Sequence, residues 1–277
     1  MTVYPLSALR AVALRTQSLH SANVAESNLS RGSSSQRSSA VSRPAVKGPT
    51  RDALYEVINL LGCVQIDTIN VIRRSHYLVL WSRLGNYNPT DLDTLSSHEK
   101  RRLFEGWQHA ASYIPLTEYR YQLPHQRRLR EYPAEMTNVW LARPGSAEIL
   151  QTVRQRLHAG DSATTSDFEY NGPKRGTWWD WKPAKYALEY LYSIGEVMIA
   201  ERVKFQKVYD LTERVLPKWV DTREPTHEER DRFWVARGAK GLGVCTARQA
   251  GDYTWMKVSR SKLHVESLVK DGILVSI

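Results

Sequence analysis

The stretch GCVQIDTINVIRRSHYLVLWSRLG, residues Gly62–Gly85, decides how the rest of the chain is interpreted. It follows an apolar helical pattern, and Gly62 is the kind of residue that ends a helix in a left-handed conformation. Residues Cys63–Asp67 then alternate between apolar and polar side chains, which predicts a strand. A second helix is predicted from Tyr77 to Leu84, and Gly85 ends it. The order is therefore helix, short strand, helix.

Two polar side chains share one face of the predicted strand. Because successive side chains of a strand point to opposite sides, Val64 and Ile66 face the interior and Gln65 and Asp67 face outward together. This places an amide beside a carboxylate. The spacing alone leaves a plainer interpretation open, in which Asp67 caps the following turn and Gln65 faces solvent.

The composition predicts a polyanionic partner. The 277 residues carry 39 Lys and Arg against 29 Asp and Glu, a formal charge of +10, together with 9 Trp and 14 Tyr. A basic, aromatic-rich chain of this kind is typical of nucleic-acid-binding proteins, although a soluble basic protein without such a partner fits the charge equally well.

Compartment and cofactors are predicted from what the sequence lacks. Cys63 and Cys245 lie far apart, which favours reduced thiols in a cytosolic protein. No apolar run reaches the roughly 20 residues needed to cross a bilayer, and the start lacks a signal-peptide pattern. We therefore expect a cytoplasmic, nucleoid-associated monomer that does not bind membranes. Neither a metal site nor an organic cofactor is predicted, because no zinc spacing or phosphate-binding glycine motif is present.

A helix-rich α+β fold of tandem winged-helix domains is predicted, with a first domain at residues 1–125. It contains a Ser-rich insertion at about residues 18–50, the Gln65–Asp67 strand, and a hairpin of Leu103–Trp107 and Ala111–Ile114. The insertion lacks the apolar density needed for burial, so we expect a flexible segment.

A second winged helix is predicted at residues 126–217. Three helices lead to a hairpin whose turn is expected near Arg202, and Lys182–Ile194 takes the recognition-helix position. The tryptophans before that helix, Trp178, Trp179 and Trp181, fit either packing between domains or stacking on bases.

A partial third domain is predicted at residues 218–277. Three further helices end at Ile273–Ile277, which resembles the first strand of a wing with no returning strand. The expectation is therefore a third winged helix that is truncated at its wing.

Four long blocks of the sequence resemble the AlkZ/YcaQ family of winged-helix DNA glycosylases. In that family a Gln-apolar-Gln or Gln-apolar-Asp motif is the catalytic element, and the resemblance therefore implies that Gln65 and Asp67 are catalytic. It also implies a duplex DNA substrate with alkylated or crosslinked bases. The blocks are GCVQIDTINVIRRSHYLVLWSRLG, WQHAASYIPLTEYRYQLP, KRGTWWDWKPAKYALEYLYSIGEVMIA and FQKVYDLTERVLP.

Ten basic side chains are predicted to contact DNA phosphates. They cluster after the catalytic motif, before and within the proposed recognition helix, and on the following hairpin. The residues are Arg73, Arg74, His76, Lys174, Arg175, Lys182, Lys185, Arg202, Lys204 and Lys207.

The predicted function is a monofunctional DNA repair glycosylase that hydrolyses the N-glycosidic bond of N7-alkylguanine or crosslinked bases. The competing hypothesis is a non-catalytic winged-helix DNA-binding protein or transcriptional regulator, and an inactive remnant is a third. The Gln65–Asp67 pair separates these hypotheses, because a regulator has no need of it.

Overall fold

The computed structural model describes residues 4–19, 48–97, 100–169 and 182–277. Most of the Ser-rich segment predicted at residues 18–50 lies outside these ranges. The same is true of Lys174, Arg175 and the three tryptophans before the recognition helix.

The first part of the chain is helical around a short strand and a hairpin. The strand β1 is only Val64–Gln65, shorter than the predicted Cys63–Asp67. The other elements are α1 Leu6–Thr16, α2 Arg51–Leu61, α3 Ser75–Leu84, α4 Pro89–Ser96, β2 Leu103–Trp107 and β3 Ala111–Pro115.

The remaining elements follow the predicted order with small differences in their bounds. A 3₁₀ helix at Leu116–Gln122 and a helix at Glu135–Leu141 were not predicted. The helices are α5 Leu123–Glu131, α6 Glu135–Leu141, α7 Ser146–His158, α8 Pro183–Ser193, α9 Thr212–Val215, α10 His227–Leu242, α11 Ala247–Asp252 and α12 Val258–Lys270, and the strands are β4 Val197–Val203 and β5 Gln206–Leu211.

Two antiparallel sheets occur in the described residues. One has the strand order β1-β3-β2, and the other is the β4-β5 hairpin. The turn of that hairpin lies at Lys204 and Phe205, which have φ values of 49° and 70°. The prediction of a turn near Arg202 was wrong by two residues, because Arg202 pairs with Lys207 inside the ladder.

The described residues form two compact units. The first comprises Met1–Leu92, Trp107–Tyr113 and His227–Ile277, and the second comprises Asp93–Gly106 and Ile114–Thr226. The division into three winged helices stays a prediction. The amino-terminal and carboxyl-terminal helices nevertheless pack within the same unit, where α10 contacts both α1 and α2.

The core of the first unit has two parts. Leu54 and Ile58 of α2 and Leu80 of α3 are fully buried, as their helical spacing predicts. The three carboxyl-terminal helices meet at Val235, Ala250 and Leu268, which form one buried apolar cluster. The end of α2 is bonded by Arg237 and Tyr253 of the carboxyl-terminal segment, and β1 follows after two residues.

The carboxyl-terminal residues do not form the predicted wing strand. After α12 the chain makes a turn, in which the backbone N–H groups of Ile273 and Leu274 both bond to the carbonyl of Leu268. Ile273–Ile277 instead line an apolar cavity of about 520 Å³ whose other walls include α1. Ile273, Val275 and Ile277 stay 59%, 81% and 42% exposed, and no strand forms here, so the strand prediction was wrong.

The second unit contains the predicted helices and hairpin around one apolar core. Val153 and Leu157 of α7 and Leu188 of α8 are fully buried. The segment Thr165–Asp167 is a 3₁₀ helix closed by a capping box from Thr164. An additional bridge joins Ala163 to Tyr209 of β5. The bridge holds the chain just before the 3₁₀ helix against β5.

No helix among the described residues is both long enough and apolar enough to cross a lipid bilayer. Cys63 and Cys245 are free thiols. Burial raises the pKa of the Cys245 thiol.

Candidate active site and basic surfaces

Gln65 and Asp67 project from the same side of the chain after α2. Val64 and Ile66 are 2% and 7% exposed, whereas Gln65 is exposed and Asp67 is partly exposed. The predicted alternation is thus present through Asp67, although regular strand pairing stops earlier. The Cα atoms of two such residues lie about 7 Å apart in extended chain, so both side chains can reach one small molecule.

Hydrogen bonds to β3 hold the backbone of this motif in place. Val64 pairs with Tyr113 and Gln65 with Ser112. The Ile66 N–H donates to the Ala111 carbonyl at 2.7 Å, which continues the pairing by one residue. The strand is therefore fixed on its buried side while its polar side chains stay accessible.

The Asp67 carboxylate is oriented by a local turn. Its Oδ1 accepts a hydrogen bond from the Ile69 N–H at 2.9 Å. This is the turn cap that the plainer interpretation of Asp67 requires, so the capping contact is real. It engages one carboxylate oxygen, and a catalytic role for the other is compatible with it.

His76 lies beneath this turn rather than on the surface. Its side chain is fully buried, and its ring contacts those of Tyr77 and Tyr113 with centroids 4.3 and 5.9 Å away. The Asp67 N–H points at His76 Nδ1 across a long 3.5 Å contact. The prediction that His76 contacts phosphate was wrong, because a buried imidazole cannot reach DNA.

The two arginines before α3 have different environments. Arg73 is exposed, with its guanidinium 5.9 Å from the centre of the Tyr77 ring. Arg74 is the N-cap residue of α3 and is partly buried. Both precede a helix amino terminus, where the helix dipole also favours an anion. Phosphate contact by this pair stays a prediction.

A basic cleft in the second unit lies at the start of α8. It has a volume of about 400 Å³, and its lining includes Lys182, Lys185, Lys207 and the hydroxyl residues Thr165 and Ser166. Lys182 is exposed. Burial lowers the pKa of Lys185, an effect that Glu189 opposes and Lys207 reinforces. The cleft combines cations with a helix amino terminus, which suits a phosphate group.

The hairpin cations are not equivalent. Lys204 is exposed at the turn. Lys207 is bound by both carboxylate oxygens of Glu189 at 2.9 and 3.0 Å, and the Tyr209 hydroxyl donates to the same group at 2.9 Å. Burial raises the pKa of Tyr209 far above its ordinary value, so this hydroxyl remains a donor. Lys207 is therefore largely neutralised within the protein.

Arg202 is held by Glu105 in a two-point ion pair. The guanidinium donates to both carboxylate oxygens at 2.6 and 2.7 Å, and the two side chains are only 14% and 5% exposed. The prediction that Arg202 contacts DNA is not supported, because its charge is already paired and mostly covered. Its position is structural, in the packing of β4.

A comparison with protein families now identifies the chain at the level of its family. The family model described as DNA glycosylase AlkZ-like matches residues 58–277. This chain belongs to the AlkZ-like DNA glycosylase family. No solved structure matches it.

The AlkZ-like match includes the proposed catalytic residues and excludes the start of the chain. It begins within α2 at Ile58, so Gln65, Asp67 and all ten basic residues fall inside it. Helix α1 and the Ser-rich segment precede it. The family assignment makes the protein a DNA glycosylase by descent, and DNA its expected partner.

One feature of the candidate site was missed from the sequence although a signal was present. His76 and Leu80 are four residues apart on α3, and both are fully buried. That spacing places them on one helix face, so the burial of His76 could have been predicted from the sequence. The sequence could not predict that His76 lies close to Asp67, because this depends on how α3 packs against β1.

Proposed function

We propose that this AlkZ-like protein is a monofunctional glycosylase that removes N7-alkylguanine, including crosslinked forms, and leaves an abasic site. The observation that supports this is the outward-facing Gln65–Asp67 pair on a backbone pinned to β3. Family membership supplies the reaction class. The lesion and the water mechanism are inferred from chemistry.

Asp67 is proposed to act on the sugar and on water. Cleavage of an N-glycosidic bond gives the sugar oxocarbenium character, which a nearby carboxylate stabilises. The same carboxylate can orient or deprotonate the attacking water. Because the Ile69 N–H already fixes Oδ1, the second oxygen enters the reaction at a defined position.

Gln65 is proposed to position the water. Its amide can donate one hydrogen bond and accept another, so it can hold a water molecule in a defined orientation next to Asp67. An N7-alkylated guanine carries positive charge and leaves without strong acid assistance. This matches a pair that contains a carboxylate and an amide and lacks a dedicated proton donor.

DNA contacts are proposed for five of the described basic residues, two in the first unit and three in the second. Three of them are exposed, Lys185 lines the basic cleft, and the partly buried Arg74 precedes the amino terminus of α3. The proposal omits His76, Arg202 and Lys207, because His76 is fully buried and the other two are paired with glutamates. Lys174 and Arg175 stay in the proposal on sequence grounds alone. The five are Arg73, Arg74, Lys182, Lys185 and Lys204.

The product distinguishes this function from its alternatives. Duplex DNA carrying one N7-methylguanine is incubated with the protein and divided between neutral and alkaline gels, with Asp67→Asn as the matched inactive control. We expect strand breaks only after alkali. A Schiff-base lyase would need an amine, and the Gly62–Gly85 stretch contains no lysine.

Two other outcomes would contradict the proposal. Breaks in the neutral gel, or an adduct trapped by borohydride, would indicate lyase chemistry and exclude the water mechanism. Tight binding without breaks in either gel would favour a non-catalytic DNA-binding protein. A parallel duplex with an N7-linked interstrand crosslink tests the larger lesion.

A further inference from the structure

The loop between β1 and α3 exposes aliphatic side chains that the mechanism above does not use. Ile69, Val71 and Ile72 are 66%, 88% and 86% exposed. Single apolar residues on a surface need no explanation, but three within four residues form a patch, which usually marks a binding site. We call residues 69–72 the apolar loop.

The apolar loop is anchored at both ends. At its start the Ile69 N–H donates to the Asp67 carboxylate. At its end Arg73 and Arg74 lead directly into α3, whose buried His76 and Leu80 fix that helix. The side chains of Val71 and Ile72 therefore project from a short, fixed connection next to the proposed catalytic carboxylate.

The surroundings of the apolar loop favour DNA as its partner. Two arginines follow it immediately, which matches a phosphate backbone beside an apolar base stack. Proteins that kink or open duplex DNA insert aliphatic wedges between base steps in this way. A stable protein interface buries about 800 Å² on each partner, more than three aliphatic side chains supply.

We propose that Val71 and Ile72 form a wedge that enters the base stack of duplex DNA beside the damaged nucleotide. Arg73 and Arg74 hold the adjacent phosphates. Opening the step exposes the sugar C1′ of the lesion to the water at Asp67 and Gln65, without full extrusion of a bulky base. This inference rests on the proposed function for the place of the lesion.

The experiment measures base unstacking separately from catalysis. The duplex carries 2-aminopurine next to a tetrahydrofuran abasic analogue, which cannot be excised, and 2-aminopurine brightens when it unstacks. The variant is Val71→Ser with Ile72→Ser. The matched control is Leu263→Ser on α12, which removes an aliphatic side chain that is 66% exposed.

We expect a fluorescence increase of about twofold or more with the unmodified protein and with Leu263→Ser, and none with the double variant. Single-turnover excision of N7-methylguanine should fall about tenfold or more in the double variant, because the energy needed to unstack the bases is no longer supplied. Tm should stay unchanged, since the substituted side chains are almost fully exposed.

The fluorescence and excision measurements distinguish a failure of the wedge proposal from a failure of the proposed glycosylase function. If the unmodified protein gives no increase, or the double variant gives the same increase, the wedge is excluded, and normal excision by that variant would leave the glycosylase intact. If the increase requires Val71 and Ile72 but no excision occurs, the wedge stands and the catalytic proposal fails.

Discussion

Asp67 combines a local structural contact with an exposed position, and this combination underlies its proposed role. The turn hydrogen bond from Ile69 fixes one oxygen, and the pairing of Ile66 with Ala111 fixes the preceding backbone. A carboxylate that is pre-oriented in this way loses little freedom when it binds water. The capping and catalytic interpretations therefore describe two oxygens of one group.

Replacement of Asp67 by Asn tests the charge alone. Asp67→Asn keeps the shape and can still accept the Ile69 N–H, so the fold should persist. Excision should fall by roughly a hundredfold or more, the typical effect of losing an acid–base group. DNA affinity should stay equal or rise slightly, because one negative charge near phosphate has been removed.

Asp52→Asn is the matched control for this variant. Asp52 lies in the first turn of α2, is exposed, and loses the same charge. Its excision rate in a single-turnover assay should match that of the unmodified protein. Full excision by Asp67→Asn would remove Asp67 from the catalytic role.

At the scale of the element, α8 places lysines at the edge of a cleft. Lys182 is its N-cap residue and Lys185 lies one turn into the helix, while Ala187 and Leu188 are buried. The amphipathic pattern that buries one face of α8 therefore also fixes which side its cations take.

Removal of both lysines should weaken the salt dependence of DNA binding. Each phosphate contact contributes about 0.9 to the slope of log affinity against log salt concentration. Replacing Lys182 and Lys185 together by Ala should flatten the slope by nearly two and weaken all duplex sequences alike. The measurement is a binding titration at several salt concentrations.

The control removes two exposed lysines from α12. Lys257 and Lys262 carry the same charge and are not proposed to touch DNA. Their double replacement by Ala should leave the slope near its original value. An unchanged slope in the α8 variant would show that this cleft does not hold phosphate.

At the scale of the whole molecule, the site depends on segments far apart in the chain. Arg237 of α10 is 6% exposed, and its guanidinium donates to the carbonyls of Asn59 and Leu60 at the end of α2. The Tyr253 hydroxyl donates to the next carbonyl, that of Leu61. Carbonyls at a helix end have no partner within the helix, so the carboxyl-terminal segment supplies these bonds.

Loss of this support should destabilise the fold without changing the chemistry. Arg237→Ala should lower the free energy of unfolding by about 2–4 kcal/mol, because buried carbonyls lose charged donors. Urea unfolding followed by circular dichroism measures the change. Excision per folded molecule should remain normal, since Arg237 lies outside the proposed active site.

Arg248→Ala is the control for Arg237→Ala. Arg248 is 77% exposed and forms only a surface pair with Asp252. Its removal should change the free energy of unfolding by less than about 1 kcal/mol. Equal destabilisation by the two variants would show that the contacts of Arg237 to α2 add no more to the free energy of unfolding than a surface ion pair does.

The sequence by itself determined the local elements and the candidate motif. The order of most helices, the two hairpins and the outward direction of Gln65 and Asp67 follow from periodicity, which reflects contacts within a few residues. Gly62 likewise ends α2 with a positive φ of 86°. The polar pair was therefore recognisable before any tertiary contact was known.

Only the tertiary structure decided which charged residues remain accessible and which segments support the site. Arg202 is paired by Glu105, 97 residues away, and Arg237 reaches α2 across 178 residues. Ile273–Ile277 has a strand-like pattern but lines a cavity instead. A local period cannot encode these outcomes, because burial and ion pairing depend on partners that folding brings together from distant positions.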